Sequence, residues 1–171
     1  MSRAFVKETA EGAAPPERMV SSGPNLVTEE GLAKIAAEVE RLEAALAAEQ
    51  NVLLRETLER DLRYWRQSLS TAQVVKPPAG DGVIAFGARV TFIRRTPSGA
   101  PRGARDGKAQ TIRIVGEDEA DPRAGLINFR SPLAQALIGA EAGDTVEMES
   151  PLTNTLSRAS PPAALEILKV E

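Results

Sequence analysis

The sequence predicts an α+β protein, in which an N-terminal antiparallel helical hairpin precedes an antiparallel sheet domain with one short helix. Three observations indicate this class. Apolar residues recur at spacings of three and four between residues 28 and 72, which is typical of helices paired in a coiled coil. Short β-type runs separated by turn residues follow between 83 and 170. Between the two patterns, the prolines and glycines of KPPAGDG (76–82) predict a linker.

The composition excludes several classes of protein. The chain has 171 residues with no cysteine and no histidine, which removes disulfides, zinc sites with nitrogen or sulfur ligands, and cysteine or histidine catalysis. A metal would need carboxylate oxygens, which suit Mg²⁺. The net charge of −3 gives no general attraction to nucleic acid or membrane. No apolar run approaches the ~20 residues of a membrane helix and no secretory signal is visible, so a cytoplasmic location is expected.

Residues 1–26 are the first predicted segment. They mix Ala, Gly, Pro and Ser with three basic and three acidic residues and show no apolar period. Such a composition favours a disordered tail.

Residues 27–75 form the predicted coiled-coil hairpin. Thr28 can cap its first helix, with Glu29 and Glu30 in the first turn. The segment 48–52 holds Glu49, Gln50 and Asn51 and predicts the turn. The apolar seams are Leu32, Ile35, Val39, Leu42 and Leu46 on the first helix, and Leu54, Leu58, Leu62, Trp65, Leu69 and Ala72 on the second. A single uninterrupted helix from 28 to 72 is the alternative, but it would leave both seams uncovered without a partner chain.

Residues 83–171 form the predicted sheet domain. Its strands are expected at 83–86, 88–94, 111–115, 126–129, 145–148 and 164–170. One helix interrupts them, with Ser131 as its cap and Pro132 in its first position.

A basic stretch lies within this domain. Residues 89–113 hold seven basic residues and one acid. Arg94, Arg95, Arg102 and Arg105 are candidates for contact with RNA or with an acidic protein surface, and the alternative is a solvated loop.

Several segments, taken in order, resemble the GreA/GreB family of bacterial transcript-cleavage and elongation factors. They are VTEEGLAKI (27–35), LSTAQVV (69–75), FGARVT (86–91), RIVGEDEAD (113–121), SPLAQALIG (131–139) and GDTV (143–146). The resemblance implies that the C-terminal domain is FKBP-like and grips the rim of the secondary channel of RNA polymerase, while the hairpin points down that channel. By the same resemblance, Ser131, Pro132 and Gln135 lie on the surface that binds polymerase.

The hairpin departs from the family pattern. Cleavage-active members have a longer hairpin whose loop carries paired acids for a second Mg²⁺, whereas this hairpin is short and its turn holds only Glu49, with Glu56 a turn into the second helix. Both acids could equally belong to a solvated helix flank. The helix lengths resemble those of the short-hairpin, Rnk-type regulators, which are thought to bind polymerase without cleaving transcript.

The resulting prediction is a monomeric, non-enzymatic regulator that binds RNA polymerase core and touches RNA or DNA at most indirectly. No tightly bound cofactor is expected, and the polymerase Mg²⁺ would matter only if the tip were active. The first alternative is a cleavage-stimulating factor. A peptidyl-prolyl isomerase or chaperone is the second, prompted by the FKBP-like domain, although only Phe86, Phe92 and Phe129 could line its pocket.

Overall fold

The computed structural model describes residues 16–76, 82–95, 107–148 and 163–171. Contacts divide the chain into two units. The helical unit comprises Met1–Gly23 and Ile35–Thr71, and the sheet unit comprises Pro24–Lys34 and Ala72–Glu171. The elements are β1 (Asn25–Val27), α1 (Glu29–Ala48), α2 (Val52–Thr71), β2 (Ala72–Val74), β3 (Arg89–Arg95), β4 (Gln110–Val115), a 3₁₀ turn (Pro122–Ala124), β5 (Leu126–Asn128), α3 (Pro132–Leu137), β6 (Thr145–Met148) and β7 (Ala163–Val170). The mixed helix and sheet class is confirmed.

Helices α1 and α2 pack through part of the predicted seams. Val39 and Leu42 of α1 and Leu62 of α2 are buried together. Leu46, Leu58, Trp65 and Leu69 pack against them. Residues 49–51 interrupt the helical run between Ala48 and Val52, so the single-helix alternative is wrong. Thr28 caps α1 as predicted, because its Oγ1 accepts a hydrogen bond from the Gly31 amide at 3.0 Å.

Two residues of the second predicted seam do not pack between the helices. Leu54 is 52% exposed, because α1 ends at Ala48 and the Leu46 carbonyl is already opposite Arg55, so no turn of α1 remains to cover it. Ala72 lies in β2 and not in the helix.

The predicted boundary of the disordered tail, residues 1–26, is wrong, because its last two residues belong to a strand. Residues 1–15 lie outside the described residues, but Asn25 and Leu26 form β1 with Val27. Their backbone pairs with β2, which a local apolar period cannot reveal. In the helical unit, the Arg18 guanidinium lies 4.0 Å from the ring centroid of Tyr64.

The sheet unit contains two sheets. Strands β1 and β2 form a parallel pair, and the second sheet has the order β5-β4-β3-β7-β6. Its β4–β5 pair is parallel, which corrects the predicted all-antiparallel arrangement. This pairing is possible because the 3₁₀ turn at Pro122–Ala124 lies in the connection and lets the chain re-enter beside β4.

The strand predicted at 83–86 is absent. Val83 makes only an isolated bridge with Glu141, since the Ile84 amide and carbonyl bond to Ala140 and Gly139 in the loop after α3. Ile84 still joins the main core, whose other buried residues are Ala88, Val90, Phe92, Ile112, Ile114, Ala134, Leu137, Leu165 and Ile167. This core holds α3 against the sheet. No helix among the described residues is long and apolar enough to span a membrane.

Candidate functional site

The end of the helical unit where α1 meets α2, residues 49–55, is the first candidate site and is called the tip. Its turn is closed by its own side chains. Glu49 Oε1 accepts hydrogen bonds from the amides of Gln50 and Asn51, each at 2.8 Å. Asn51 Oδ1 caps α2 by accepting from the Leu53 and Leu54 amides at 3.0 and 3.2 Å.

Arg55 completes the tip. Its Nη1 donates to the carbonyl oxygens of Leu46 at 2.9 Å and Glu49 at 3.0 Å. These carbonyls belong to the end of α1 and the turn that follows, where the helix offers no backbone N–H donors of its own to pair with them. The cation therefore satisfies backbone groups and fixes the start of α2 against the end of α1.

The tip presents apolar side chains to solvent. Val52, Leu53 and Leu54 are 67%, 56% and 52% exposed. Three consecutive residues project in different directions from a helix, so they cannot all face one partner helix. The sequence contained this signal, because a VLL run at a turn exceeds what the hairpin seam requires.

The two predicted tip acids lie at different points, one in the turn and one in α2. Glu49 is half-buried and engaged with the turn, as described, and Glu56 is half-buried further along α2. Among the described residues, no group of three Asp or Glu side chains is placed to hold a metal ion. The turn chemistry of Glu49 favours a structural role for it.

The N-terminal half of α3 brings the predicted polymerase-binding residues together. Ser131 caps the helix by accepting from the Ala134 amide at 3.2 Å, and Pro132 occupies the first helical position and is exposed. Gln135 is exposed and donates from Nε2 to the Phe129 carbonyl at 2.7 Å. Ser131 thus shapes the helix start, while Pro132 and Gln135 are accessible to a partner. Their role in binding stays a prediction.

The predicted basic contact residues do not act as a group among the described residues. Arg94 is exposed at the end of β3, and Arg95 forms an ion pair with Glu166 of β7. Arg102 and Arg105 lie outside the described residues. A contact with RNA or an acidic surface therefore rests on the sequence alone.

A buried carboxylate that the sequence did not reveal organises the start of α1. Glu119 is 7% exposed and lies in the loop after β4. It accepts hydrogen bonds from the Thr28 amide at 2.8 Å, from Thr28 Oγ1, and from the Gly116 amide at 3.3 Å. A Cβ atom at Gly31 would lie 2.0 Å from Glu119 Cδ, so only glycine fits there.

The hydrogen-bonded group of Glu119, Thr28 and Gly116, with Gly31 against it, is called the lock. A polar cavity of about 330 Å³ lies beside it, since Thr28 also lines that cavity. Glu30 pairs with Arg113, and Glu29 pairs with Lys76 at 3.1 Å. Its lining residues are Thr28, Glu29, Glu30, Val75, Lys76 and Arg113. Each cation has an acidic partner, so the cavity wall is nearly neutral.

The sheet unit contains a region that is similar to a known protein family. Residues 79–158 match the family model described as "Transcription elongation factor, GreA/GreB, C-term". The chain is 43% identical over 83 residues to the transcription elongation factor GreA of Cereibacter sphaeroides, which is 48% of this chain and 49% of the relative. It is 46% identical over 85 residues to GreA of Verminephrobacter eiseniae, 48% of each.

The chain spans about half the length of these curated relatives. Among solved structures, a GreA/GreB elongation factor from Nitrosomonas europaea aligns over 86% of this chain and 98% of its own, with 20% identity and a TM-score of 0.38.

Proposed function

We propose that this chain binds bacterial RNA polymerase at the secondary channel and regulates transcription without stimulating transcript cleavage, because residues 79–158 match the C-terminal model of the GreA/GreB elongation factors. In this proposal the sheet unit, taken as the FKBP-like domain of the family, contacts the channel rim. The helix pair is the short hairpin. The nearest functional type is the short-hairpin, Rnk-like regulator.

Pro132 and Gln135 support the binding half of the proposal. Both are exposed on α3, a helix whose backbone is fixed by the Ser131 cap and whose other face, with Ala134 and Leu137, is fully buried in the core. A rigid helix start with accessible side chains limits the entropy lost when a partner binds.

The tip supports the second part of the proposal, that the protein does not stimulate transcript cleavage. Stimulated cleavage needs at least two carboxylates that together hold a Mg²⁺ ion and orient a water. The only acid in the turn, Glu49, directs Oε1 at two amides of its own turn. The residues that follow are the exposed Val52, Leu53 and Leu54, which offer no oxygen ligands from their side chains.

Stalled elongation complexes incubated with the protein and Mg²⁺ test both halves. We expect the protein to co-sediment with core polymerase and to be displaced by a known secondary-channel factor, while the 3′ end of the transcript stays intact. Replacing Ser131 and Pro132 with bulky charged residues should weaken co-sedimentation, and Leu168→Gln, at an exposed position of β7, is the control. Efficient 3′ shortening that Glu49→Ala abolishes would instead establish the cleavage-stimulating alternative.

The isomerase alternative has less support from the aromatic side chains. Phe86 and Phe92 are 8% and 1% exposed, and Phe129 packs edge-on against Phe86 with 5.6 Å between ring centroids. Two of the three rings are therefore buried, and the third is half-buried against one of them. A proline-isomerisation assay that gave a clear rate gain would revive this function.

A further inference from the structure

Three exposed apolar side chains lie in the first turn of α2 at the tip, and together they are called the apolar patch. Val52, Leu53 and Leu54 are adjacent in sequence and each is more than half exposed. Single exposed apolar residues are ordinary on protein surfaces, but several in succession, flanked by polar residues, are typical of an interaction site. The flanking residues here are polar, with Glu49 and Asn51 before the patch and Arg55 and Glu59 after it. Arg55 Nη2 lies 3.9 Å from Glu59 Oε1.

The backbone beneath this patch is fixed before any partner arrives. Asn51 holds the amides of Leu53 and Leu54, Arg55 holds the Leu46 and Glu49 carbonyls, and Thr57 Oγ1 donates to the Leu53 carbonyl at 3.1 Å. Two of the three apolar residues thus have their backbone tied by side-chain hydrogen bonds. A preorganised apolar patch loses little conformational freedom on binding, which favours affinity.

The size of the patch decides between its possible occupants. Three side chains of this size with these exposures contribute on the order of 300 Å² per copy, well below the roughly 800 Å² per partner of a stable interface. A tip-to-tip dimer of this chain would therefore be too small to persist by itself. The patch suits a partner that is already held by another surface of the same protein, for which it supplies an additional contact.

We propose that Val52, Leu53 and Leu54 form an apolar contact that seats the tip against an apolar surface of RNA polymerase. The inference rests on the proposed function, because polymerase is the macromolecule that the sheet unit would hold. The contact uses burial of apolar area and not metal or charge. It gives the tip a binding role in place of the acidic chemistry of cleavage-active relatives.

Polar substitutions of similar size test the proposal with the full-length protein. In the variant Val52→Thr, Leu53→Gln, Leu54→Gln, we expect at least about a tenfold loss of affinity for core polymerase in co-sedimentation, because removal of a central apolar contact costs a factor of that order. The ratio of wild-type to variant affinity should persist at high salt, since apolar burial is not screened as ion pairs are.

The matched control is Leu168→Gln, which changes a leucine of similar exposure, 43%, on β7. It should keep affinity within about twofold of wild type. Circular dichroism and the unfolding midpoint should be unchanged in both variants, because all four positions are exposed.

The outcomes separate this inference from the proposed function. If the wild-type protein failed to bind polymerase, the proposed function and the tip contact would both be overturned. If the wild type bound and the tip variant bound equally well, only the tip contact would be overturned. A concentration-dependent dimer of the wild type alone, lost in the tip variant, would assign the patch to a second copy and also overturn it.

Discussion

The two units of this protein treat their apolar residues differently. The sheet unit gathers ten buried residues into one core, several of them with no accessible surface. Among the described residues of the helical unit, the buried cluster has three members, Val39, Leu42 and Leu62, and the tip is apolar and exposed. The sheet unit exposes single apolar residues such as Leu168, whereas the helical unit exposes three in succession at its tip.

The two units also differ in their likeness to known proteins. The family match, residues 79–158, lies entirely within the sheet unit. The tip, where paired acids would be needed for cleavage, lies in the helical unit. The matched residues and the tip therefore belong to different units of the chain.

The core of the sheet unit should be the most sensitive part of the molecule. Phe92→Ala, at a residue 1% exposed, should lower the free energy of unfolding by about 3–5 kcal/mol, because it removes a large buried ring and leaves a cavity. Leu62→Ala in the helical unit should cost less, about 2–3 kcal/mol, because its smaller cluster can collapse around the loss.

Urea unfolding measures both effects. Far-UV circular dichroism follows the whole chain, and the emission of Trp65, the single tryptophan, follows the helical unit. Leu168→Ala is the exposed control and should stay within about 0.5 kcal/mol of wild type. Equal losses for Phe92→Ala and Leu62→Ala would remove the contrast between the two cores.

The lock at the start of α1 should give the next largest effect. Gly31→Ala should cost about 2 kcal/mol, because the new Cβ would displace the Glu119 carboxylate from its hydrogen bonds with Thr28. A double-mutant cycle measures the coupling. In a Glu119→Ala background, Gly31→Ala should lose most of its cost, and strictly additive losses would refute the contact.

The cap of α2 should matter less. Asn51→Ala should destabilise the helical unit by about 1 kcal/mol, because the amides of Leu53 and Leu54 lose their acceptor. Trp65 emission during urea unfolding reports the change. Gln50→Ala, at the neighbouring exposed position, serves as the control, and a similar loss there would show that the cap is not responsible.

The smallest effect should come from surface ion pairs. A hydrogen bond from Arg41 lowers the pKa of Glu38 in the helical unit, and one from Lys169 lowers the pKa of Glu171 in the sheet unit. A lowered folded pKa means that each pair adds stability above the ordinary glutamate pKa near 4.5, and that this stability is lost as pH falls through the lower folded value.

Carboxyl titration by NMR tests these pairs. Arg41→Ala should return the pKa of Glu38 toward the ordinary glutamate value, with little change in stability at neutral pH because exposed pairs contribute little. The same should hold for Lys169→Ala and Glu171. If Glu38 titrated at the same pH in wild type and Arg41→Ala, the hydrogen bond would not be its cause.

Local patterns in the sequence predicted most helices and strands. The spacing of Val39, Leu42 and Leu62 indicated the helix pair, and Ser131 with Pro132 indicated the start of α3, because these signals depend on neighbours within a few residues. The run from 145 to 148 matched β6 for the same reason.

Long-range pairings were beyond such patterns. The parallel β1–β2 pair joins three-residue strands from opposite ends of the helical segment. The Glu119 carboxylate meets Thr28 across 91 residues. Of the candidate site, the positions of Ser131, Pro132 and Gln135 on one short helix followed from sequence, whereas the engagement of Glu49 with its own turn depends on backbone geometry that residue type does not specify.

The β1–β2 ladder has a consequence for how such a chain can change over evolutionary time. Asn25 is paired with Ala72 and Val27 with Val74, so the polypeptide leaves this ladder and returns to it side by side. The segment between the two strands, which contains α1 and α2, is therefore held at both ends by the β1–β2 pairing. Whole heptads could be deleted from or inserted into both helices without moving the anchorage, which makes reach an independently adjustable property of the scaffold.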